Sequence, residues 1–196
     1  MAQVTRRTLF LVFVFVWSQP LLAQESAKYE KYKQNTNYRA GYILTWGNQK
    51  IEGLIKDAIW GATSGSSGAI FVSKDGKKKT YGPLDIKGYG FFSTEFISDT
   101  KNFYEVVWKG PKVSLYKANR VVFMSTPGGS PSSAVVETMY LMKANDIELF
   151  EVKRLEFASE VSTYFSDCLE LAKSISNRDL RFSDLNEIVR RYNVCK

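Results

Sequence analysis

Four lysines, Lys74, Lys77, Lys78 and Lys79, crowd around the dipeptide Asp75-Gly76. Ammonium groups at this density can hold an anion at a hairpin tip. The same charges on a solvated hairpin end also block edge pairing between strands. A little further on, Tyr81, Tyr89, Phe91, Phe92 and Phe96 are interleaved with Gly82, Pro83, Gly88 and Gly90. Aromatic rings among glycines can form a platform or pocket for a sugar, peptide or lipid. They can equally pack as core at a kinked strand, where glycine admits a close backbone. The candidate ligand-binding residues are thus Tyr81, Tyr89, Phe91 and Phe92, and the candidate anion site is the four lysines.

The chain has no histidine. This excludes Ser-His-Asp and Cys-His catalysis, imidazole metal sites and the usual general base near neutral pH. Any chemistry would fall to carboxylates, lysine, tyrosine or serine. Asp85, Glu95, Asp99 and Glu105 could supply a carboxylate pair for glycoside hydrolysis, which needs the two groups at a set separation across a cleft. Ser64, Ser66 and Ser67 lie near glycine, but Gly65-Ser66-Ser67-Gly68 is too short for a G-x-S-x-G elbow. Gly128-Gly129-Ser130 lacks the strand-to-helix setting of a phosphate cradle. No catalytic residue, metal-ligand set or cofactor is assigned.

The elements that must carry these residues read as strands first and helices last. Short runs rich in β-branched and aromatic residues alternate with the turn dipeptides Gly47-Asn48, Asp75-Gly76, Gly110-Pro111 and Asn145-Asp146. Two open loops, Gly61 to Gly68 and Thr126 to Ser133, interrupt them, and Ala118-Asn119 reads as a break between Tyr116 and Arg120. The expectation for residues 40–154 is an antiparallel meander of about ten short strands, closed as a barrel or sandwich. Residues 24–39, with tyrosines among lysines, read as a polar lead-in, either mobile or a short helix.

From Leu155 the apolar period changes to three and four. Ala158, Val161, Phe165, Cys168, Ala172 and Ile175 share one helical face. After Asn177 to Asp179, Ser183 reads as the N-cap of a second helix with an apolar stripe of Leu185, Ile188 and Tyr192. The fold class is therefore mainly β with C-terminal helices, an α+β chain ending in a two-helix hairpin over residues 155–196. Cys168 and Cys195, the only two cysteines, fall on the buried faces of these helices. They read as a disulfide that would stabilise by about 3–4 kcal/mol in the chain-entropy model, or as two reduced core thiols.

The N-terminus sets the compartment. Arg6 and Arg7 precede nine apolar residues, Leu9 to Trp17, and then Ser18-Gln19-Pro20 leads to Ala23. This is the order of a secretory signal cleaved near Ala23. The apolar run is short of the ~20 residues that span a bilayer, and no cysteine follows the cut to take a lipid. The expected location is extracytoplasmic, either periplasmic or secreted, where an even cysteine count favours a bridge. The full chain carries a net charge of +7 and stays mildly basic without Arg6 and Arg7. An anionic surface, polysaccharide or acidic partner suits that balance, and so does simple solubility. Nucleic acid is not expected as a partner, nor is a membrane-spanning segment in the mature chain.

The order of these pieces resembles a family of exported bacterial proteins of unknown function. The matching stretches are Gly41 to Thr45 with Ile51 to Ile55, Tyr81 to Tyr89, Phe103 to Val107 with Gly110 and Val113 to Tyr116, then Tyr164 to Cys168 and Tyr192 to Cys195. The resemblance implies an extracytoplasmic β-domain with a C-terminal helical region and assigns no activity. The functional expectation is a non-enzymatic envelope module that binds an envelope protein or ligand. The alternatives are a carboxylate-dependent hydrolase of envelope polysaccharide and a carrier of a small apolar ligand.

Overall fold

Turn residues lay out the strands. Asn48 and Gly76 take left-handed φ values of 60° and 79°, which short hairpin turns require. In the computed structural model, which describes residues 26–56, 68–124, 132–146 and 148–196, a short helix α1 (Ala27–Lys33) precedes ten strands. These are β1 (Tyr38–Leu44), β2 (Lys50–Lys56), β3 (Ala69–Ser73), β4 (Lys78–Tyr81), β5 (Gly88–Phe91), β6 (Thr94–Ser98), β7 (Phe103–Trp108), β8 (Val113–Met124), β9 (Ser132–Lys143) and β10 (Phe150–Val152). Helices α2 (Phe157–Tyr164), α3 (Leu169–Ser176) and α4 (Leu185–Val194) follow, with a 3-10 turn at Phe182–Asp184 before the last. The expected leader, residues 1–23, lies outside the described residues, as do Ser64, Ser66, Ser67 and Gly128-Gly129-Ser130.

All ten strands form one antiparallel sheet in the order β10-β9-β8-β7-β6-β5-β1-β2-β3-β4. The order is open, so the expected barrel is corrected to a sheet with free edges at β4 and β10. It is nonetheless curled, and the register proves it. Thr80 pairs with Ile70, Ile70 with Lys56 and Lys56 with Tyr38, so Thr80 lies level with Tyr38. Gly88 pairs with Leu44 at the other end of β1. In a flat sheet these points would be roughly 28 Å apart, from strand spacing and rise. The link from Thr80 to Gly88 reaches about 28 Å only when fully extended, and it contains a turn in which Asp85 donates its N–H to the Gly82 carbonyl at 3.0 Å. The sheet must therefore coil over the core that lies beneath the link.

That core faces inward from the curl. Ile43, Ile55, Phe71, Tyr89, Phe91, Phe96 and Phe103 pack there with Ile86 of the link. On the opposite face, Tyr29 of α1 packs with Tyr38, Leu54 and Val72. In the second half of the sheet, Val113, Leu115, Leu141 and Val152 take Val161, Phe165, Ile175, Ile188 and Val189 from the helices. Each such aliphatic side chain, fully buried, contributes about 1.5–3 kcal/mol.

Three further expectations are corrected. Ala118-Asn119 does not break a strand: β8 runs through it, paired residue for residue with β9 from Val113↔Lys143 to Met124↔Ser132. Long-range pairing there overrides a weak local signal. The expected first helix of the C-terminal hairpin is split into α2 and α3 by a turn at Phe165 to Cys168, where the Cys168 N–H reaches the Phe165 carbonyl at 2.9 Å. The 3-10 turn also displaces the cap of α4 from Ser183 to Asp184. Cys168 and Cys195 are bridged, with Cα atoms 6.2 Å apart. No helix among the described residues is long and apolar enough to cross a membrane.

Helices of 8 to 10 residues are marginal alone, so α4 needs an anchor. Asn193 supplies one by imitating a strand. Its Oδ1 accepts the N–H of Lys112 at 2.8 Å and of Val113 at 3.2 Å. Its Nδ2 donates to the carbonyls of Val113 at 2.9 Å and Val189 at 2.8 Å. Gly110 makes room, since a Cβ there would stand 2.3 Å from the Asn193 amide. Asn193→Ala strands these backbone groups and is expected to cost about 1–3 kcal/mol, read as a lower urea midpoint at unchanged slope. A loss under 0.5 kcal/mol would remove the anchor role.

Candidate functional site

The lysine hairpin and α1 together build a groove. Ser26 caps α1, its Oγ accepting the Tyr29 N–H at 3.1 Å. Its own N–H donates to the Lys74 carbonyl at 3.0 Å, which ties the helix to the β3–β4 turn. Gly76 is obligatory at that junction: a Cβ would lie 2.4 Å from Ser26 Oγ and 2.7 Å from the Lys28 Cβ. Asp75 holds the turn, taking hydrogen bonds from the Lys77 ammonium at 2.8 Å and the Ser73 hydroxyl. Those bonds, Lys77 first, pull its carboxyl down to about 2.

The groove has a volume of about 1070 Å³ and is lined by Lys28, Lys31, Lys77, Lys78 and Lys79. Phe71, Tyr32 and Tyr81 provide its apolar surface, with the Lys79 ammonium 4.5 Å from the Tyr81 ring. Three of the four lysines expected from the sequence therefore meet here. Lys74 turns away to Glu52 at 3.6 Å. Lys28, Lys31, Lys78 and Lys79 have no carboxylate partner among the described residues, whereas Lys77 is held by Asp75. The sequence reading missed Lys28 and Lys31. Their spacing of three places both on one side of a helix, but only the docking of that helix brings them to the hairpin.

The aromatic candidates separate. Tyr81 belongs to the groove. Tyr89 and Phe91 are buried core residues rather than a binding surface: Tyr89 stacks on Phe96 at 4.6 Å and meets Phe103 edge-on at 5.0 Å, and Phe91 stacks on Phe96 at 6.1 Å. These rings fill the interior of the curl. Phe92 stands apart, 78% exposed in the turn between β5 and β6, with the Arg39 guanidinium 5.8 Å from its ring. Its φ is 52°, a left-handed conformation that is unfavourable for a bulky residue.

The four carboxylates do not converge. Asp85 closes a turn through the Gly82 N–H at 2.7 Å. Asp99 closes another through the N–H groups of Lys101 at 2.8 Å and Asn102 at 2.6 Å, and accepts the Tyr104 hydroxyl at 2.9 Å. Burial, then Asp99, pushes that phenol up to about 12. Glu105 pairs across from Phe96 in the register, so it shares the face of Phe96 while Glu95 points to the other. Glu95 lies near Lys109 at 3.5 Å, and Glu105 near Lys117 at 3.1 Å. Among the described residues no group of His, Cys, Asp and Glu could hold a metal ion.

One polar cluster went unnoticed in the sequence. The Lys143 ammonium binds Asp167 at 3.0 Å and sits 5.0 Å and 5.2 Å from the rings of Tyr164 and Tyr192. The Tyr192 hydroxyl donates to Asp167, and that of Tyr164 donates to Asp146 at 2.8 Å. Burial, and then Asp167, raises Tyr192; the Tyr192 hydrogen bond leads in lowering Asp167, seconded by Lys143. Burial alone would lower Lys143, but its bonds to Asp167 and Tyr192 outweigh that and leave it raised. Both phenols therefore stay protonated and Lys143 stays charged at neutral pH. The cluster braces β9, α2 and α4 beside the disulfide. Its signal was present in the stretches Tyr164 to Cys168 and Tyr192 to Cys195.

No family model, curated protein or solved structure matches the chain.

Two outcomes are expected. Phe92→Asn relieves a left-handed Phe and should raise stability by up to about 1 kcal/mol in urea unfolding; a fall instead would mean that the ring packs in the folded state. Asp167 has a depressed folded pKa, so its contribution is complete above the ordinary carboxylate value of ~3.9 and disappears as pH falls through its folded value. The stability deficit of Asp167→Asn should accordingly be largest at pH 7 and shrink toward pH 2. A deficit independent of pH would count against the ionic brace.

Proposed function

We propose that this protein is exported, loses a leader near Ala23, and acts outside the cytoplasm as a non-enzymatic binding module for a multiply anionic ligand in the α1/β3–β4 groove. The observation that carries this reading is the set of four lysines, Lys28, Lys31, Lys78 and Lys79, that line one groove without a carboxylate partner among the described residues. Gathered like charges repel one another, and a bound anion relieves that repulsion. The export component rests on the leader pattern, on the resemblance to exported bacterial proteins, and on the support that a Cys168–Cys195 bridge gives to an oxidising compartment.

Magnitudes narrow the ligand. An exposed ion pair contributes about 0.2–1 kcal/mol, so four such contacts alone reach only about millimolar affinity. A useful ligand must present several anionic groups along its length and lay a sugar or apolar face on Tyr32 and Tyr81. Anionic envelope polysaccharide has that chemistry. Binding of this kind weakens as salt screens the charges.

The test is calorimetric titration of residues 24–196 with dextran sulfate at low and at 0.3 M sodium chloride. Binding should weaken with salt. It should fall at least tenfold in the variant Lys28→Gln/Lys31→Gln/Lys78→Gln/Lys79→Gln, while Lys101→Gln/Lys173→Gln stays near the parent. Equal losses in both variants would reduce the groove to general surface charge and overturn the reading.

A further inference from the structure

The opposite end of the sheet carries a second basic pocket of different chemistry. It has a volume of about 580 Å³ and lies between the segment after β10 and the segment after α3. Its charged rim is Arg154, Arg178 and Arg181, and its apolar wall is Phe157, Leu180 and Phe182. Phe157 and Leu180 are buried, and Phe157 meets Phe182 edge-on at 5.9 Å, so the wall is fixed by the helical core. The Arg154 guanidinium lies 4.0 Å from the centre of the Phe182 ring.

Four of the neighbouring carboxylates are already engaged with other donors, and Asp179, between Arg178 and Leu180, makes no ion pair with the rim arginines. Glu156 and Glu160 both take Lys153 at 3.0 Å. Glu187 takes Arg190 and Arg191 at 2.8 Å and 2.7 Å. Asp184 accepts the backbone N–H of Arg181 at 2.8 Å. None of the three rim arginines has an ion-pair partner among the described residues. Arg178 also adopts a φ of 65° just beyond α3, a place where glycine or asparagine is favoured. The chain thus holds an arginine, at some conformational cost, where it adds a third guanidinium to the same pocket.

We infer that this pocket is a binding site for an oxyanion, a phosphate monoester or a carboxylate, carried on a ring or other apolar body. Guanidinium groups are planar and weakly hydrated, pair with oxyanions through two parallel hydrogen bonds, and stack on aromatic faces. Three of them over a phenylalanine wall suit a ligand that has both an anionic and an apolar end. The pocket shares Arg154, Leu155 and Phe182 with a smaller depression of about 310 Å³ that includes Val136, Glu137 and Glu151. Arg178 and Arg181 line the larger pocket and not the depression, so the anionic end sits with them and the apolar body points toward Val136. The site lies next to β10 and the lysine groove next to β4, at opposite edges of the sheet, so the two can be tested separately.

The probe is phenyl phosphate, titrated into ¹⁵N-labelled protein of residues 24–196 and followed by amide shifts. Saturable shifts are expected at residues 154–158 and 178–182. Arg178→Gln/Arg181→Gln should weaken them at least fivefold, while the four-lysine variant leaves them unchanged. Arg154→Lys should weaken phenyl phosphate more than inorganic phosphate, because it keeps the charge and loses the planar stack. Benzoate separates carboxylate from phosphate preference, and either one supports the site. Phenol should not bind. Unsaturated shifts, shifts confined to the lysine groove, or an undiminished response in a folded Arg178→Gln/Arg181→Gln protein would overturn the inference.

Discussion

The fold depends on the seam between β1 and β5. The first strand, β1, lies inside the sheet rather than at an edge. The chain walks outward through β2 and β3 to β4, then returns to lay β5 on the free side of β1, from Gly41↔Phe91 to Leu44↔Gly88. From there it walks out the other way to β10. Without that seam the protein would be two separate meanders, each with an exposed edge at the middle. The seam is close-packed because it is glycine-rich: a Cβ on Gly41 would stand 2.4 Å from the Gly90 carbonyl oxygen. The short return link then forces the curl, and the curl wraps Ile43, Phe71, Tyr89 and Phe96 around one core.

This topology determines where helices and charge can go. An open sheet leaves two edge strands, and unprotected edges invite pairing with other chains. At one edge, β4 carries Lys78 and Lys79, and α1 lies close by across the lysine groove. At the other, β10 is only three residues long, and the chain turns at once into α2. Both edge strands are therefore short, and β4 is basic as well. The lysines that keep β4 from pairing with a neighbour are the same ones that line the groove. Edge protection accounts for the charge of Lys78 and Lys79, yet it does not account for Lys28 and Lys31, which belong to a helix.

What the sequence revealed was local. Asp75-Gly76, Gly47-Asn48, Gly110-Pro111 and Asn145-Asp146 each mark a real turn, because turn geometry is decided by a few φ angles within four residues. The apolar stripes of the C-terminal helices were legible for the same reason: a period of three to four brings them onto one face. The Cys168–Cys195 bridge was one of two readings of the cysteines, favoured by the expected compartment rather than by the period. What stayed hidden was non-local. Nothing near Ala118-Asn119 announces that a partner strand will run alongside for twelve residues. The break between α2 and α3 lies where Asp167 is drawn to Lys143 and Tyr192, two residues remote in sequence. Tyr89 and Phe92 are three apart in the sequence and of similar type, yet one is core and the other solvent, because strand alternation and a two-residue turn separate them. Half of the lysine groove was visible in the hairpin, and the half on α1 was not.

The two basic sites also differ in how firmly they are built. The arginine pocket is walled by Phe157 and Leu180, which belong to the largest buried cluster. That cluster is further secured by the Asn193 anchor, the Lys143 brace and the disulfide. Its shape is present before any ligand arrives, so binding there loses little to ordering. The lysine groove rests on α1, a helix of seven residues, well below the length that is stable alone in water. What holds α1 is Tyr29 in its small cluster and the Ser26 bond at the Lys74 carbonyl. Four like charges work against that docking, and an anion between the helix and the hairpin works for it. Ligand occupancy and α1 docking are thus thermodynamically linked: whatever binds the groove must stabilise the N-terminal helix by the amount that it favours the docked state over the undocked one.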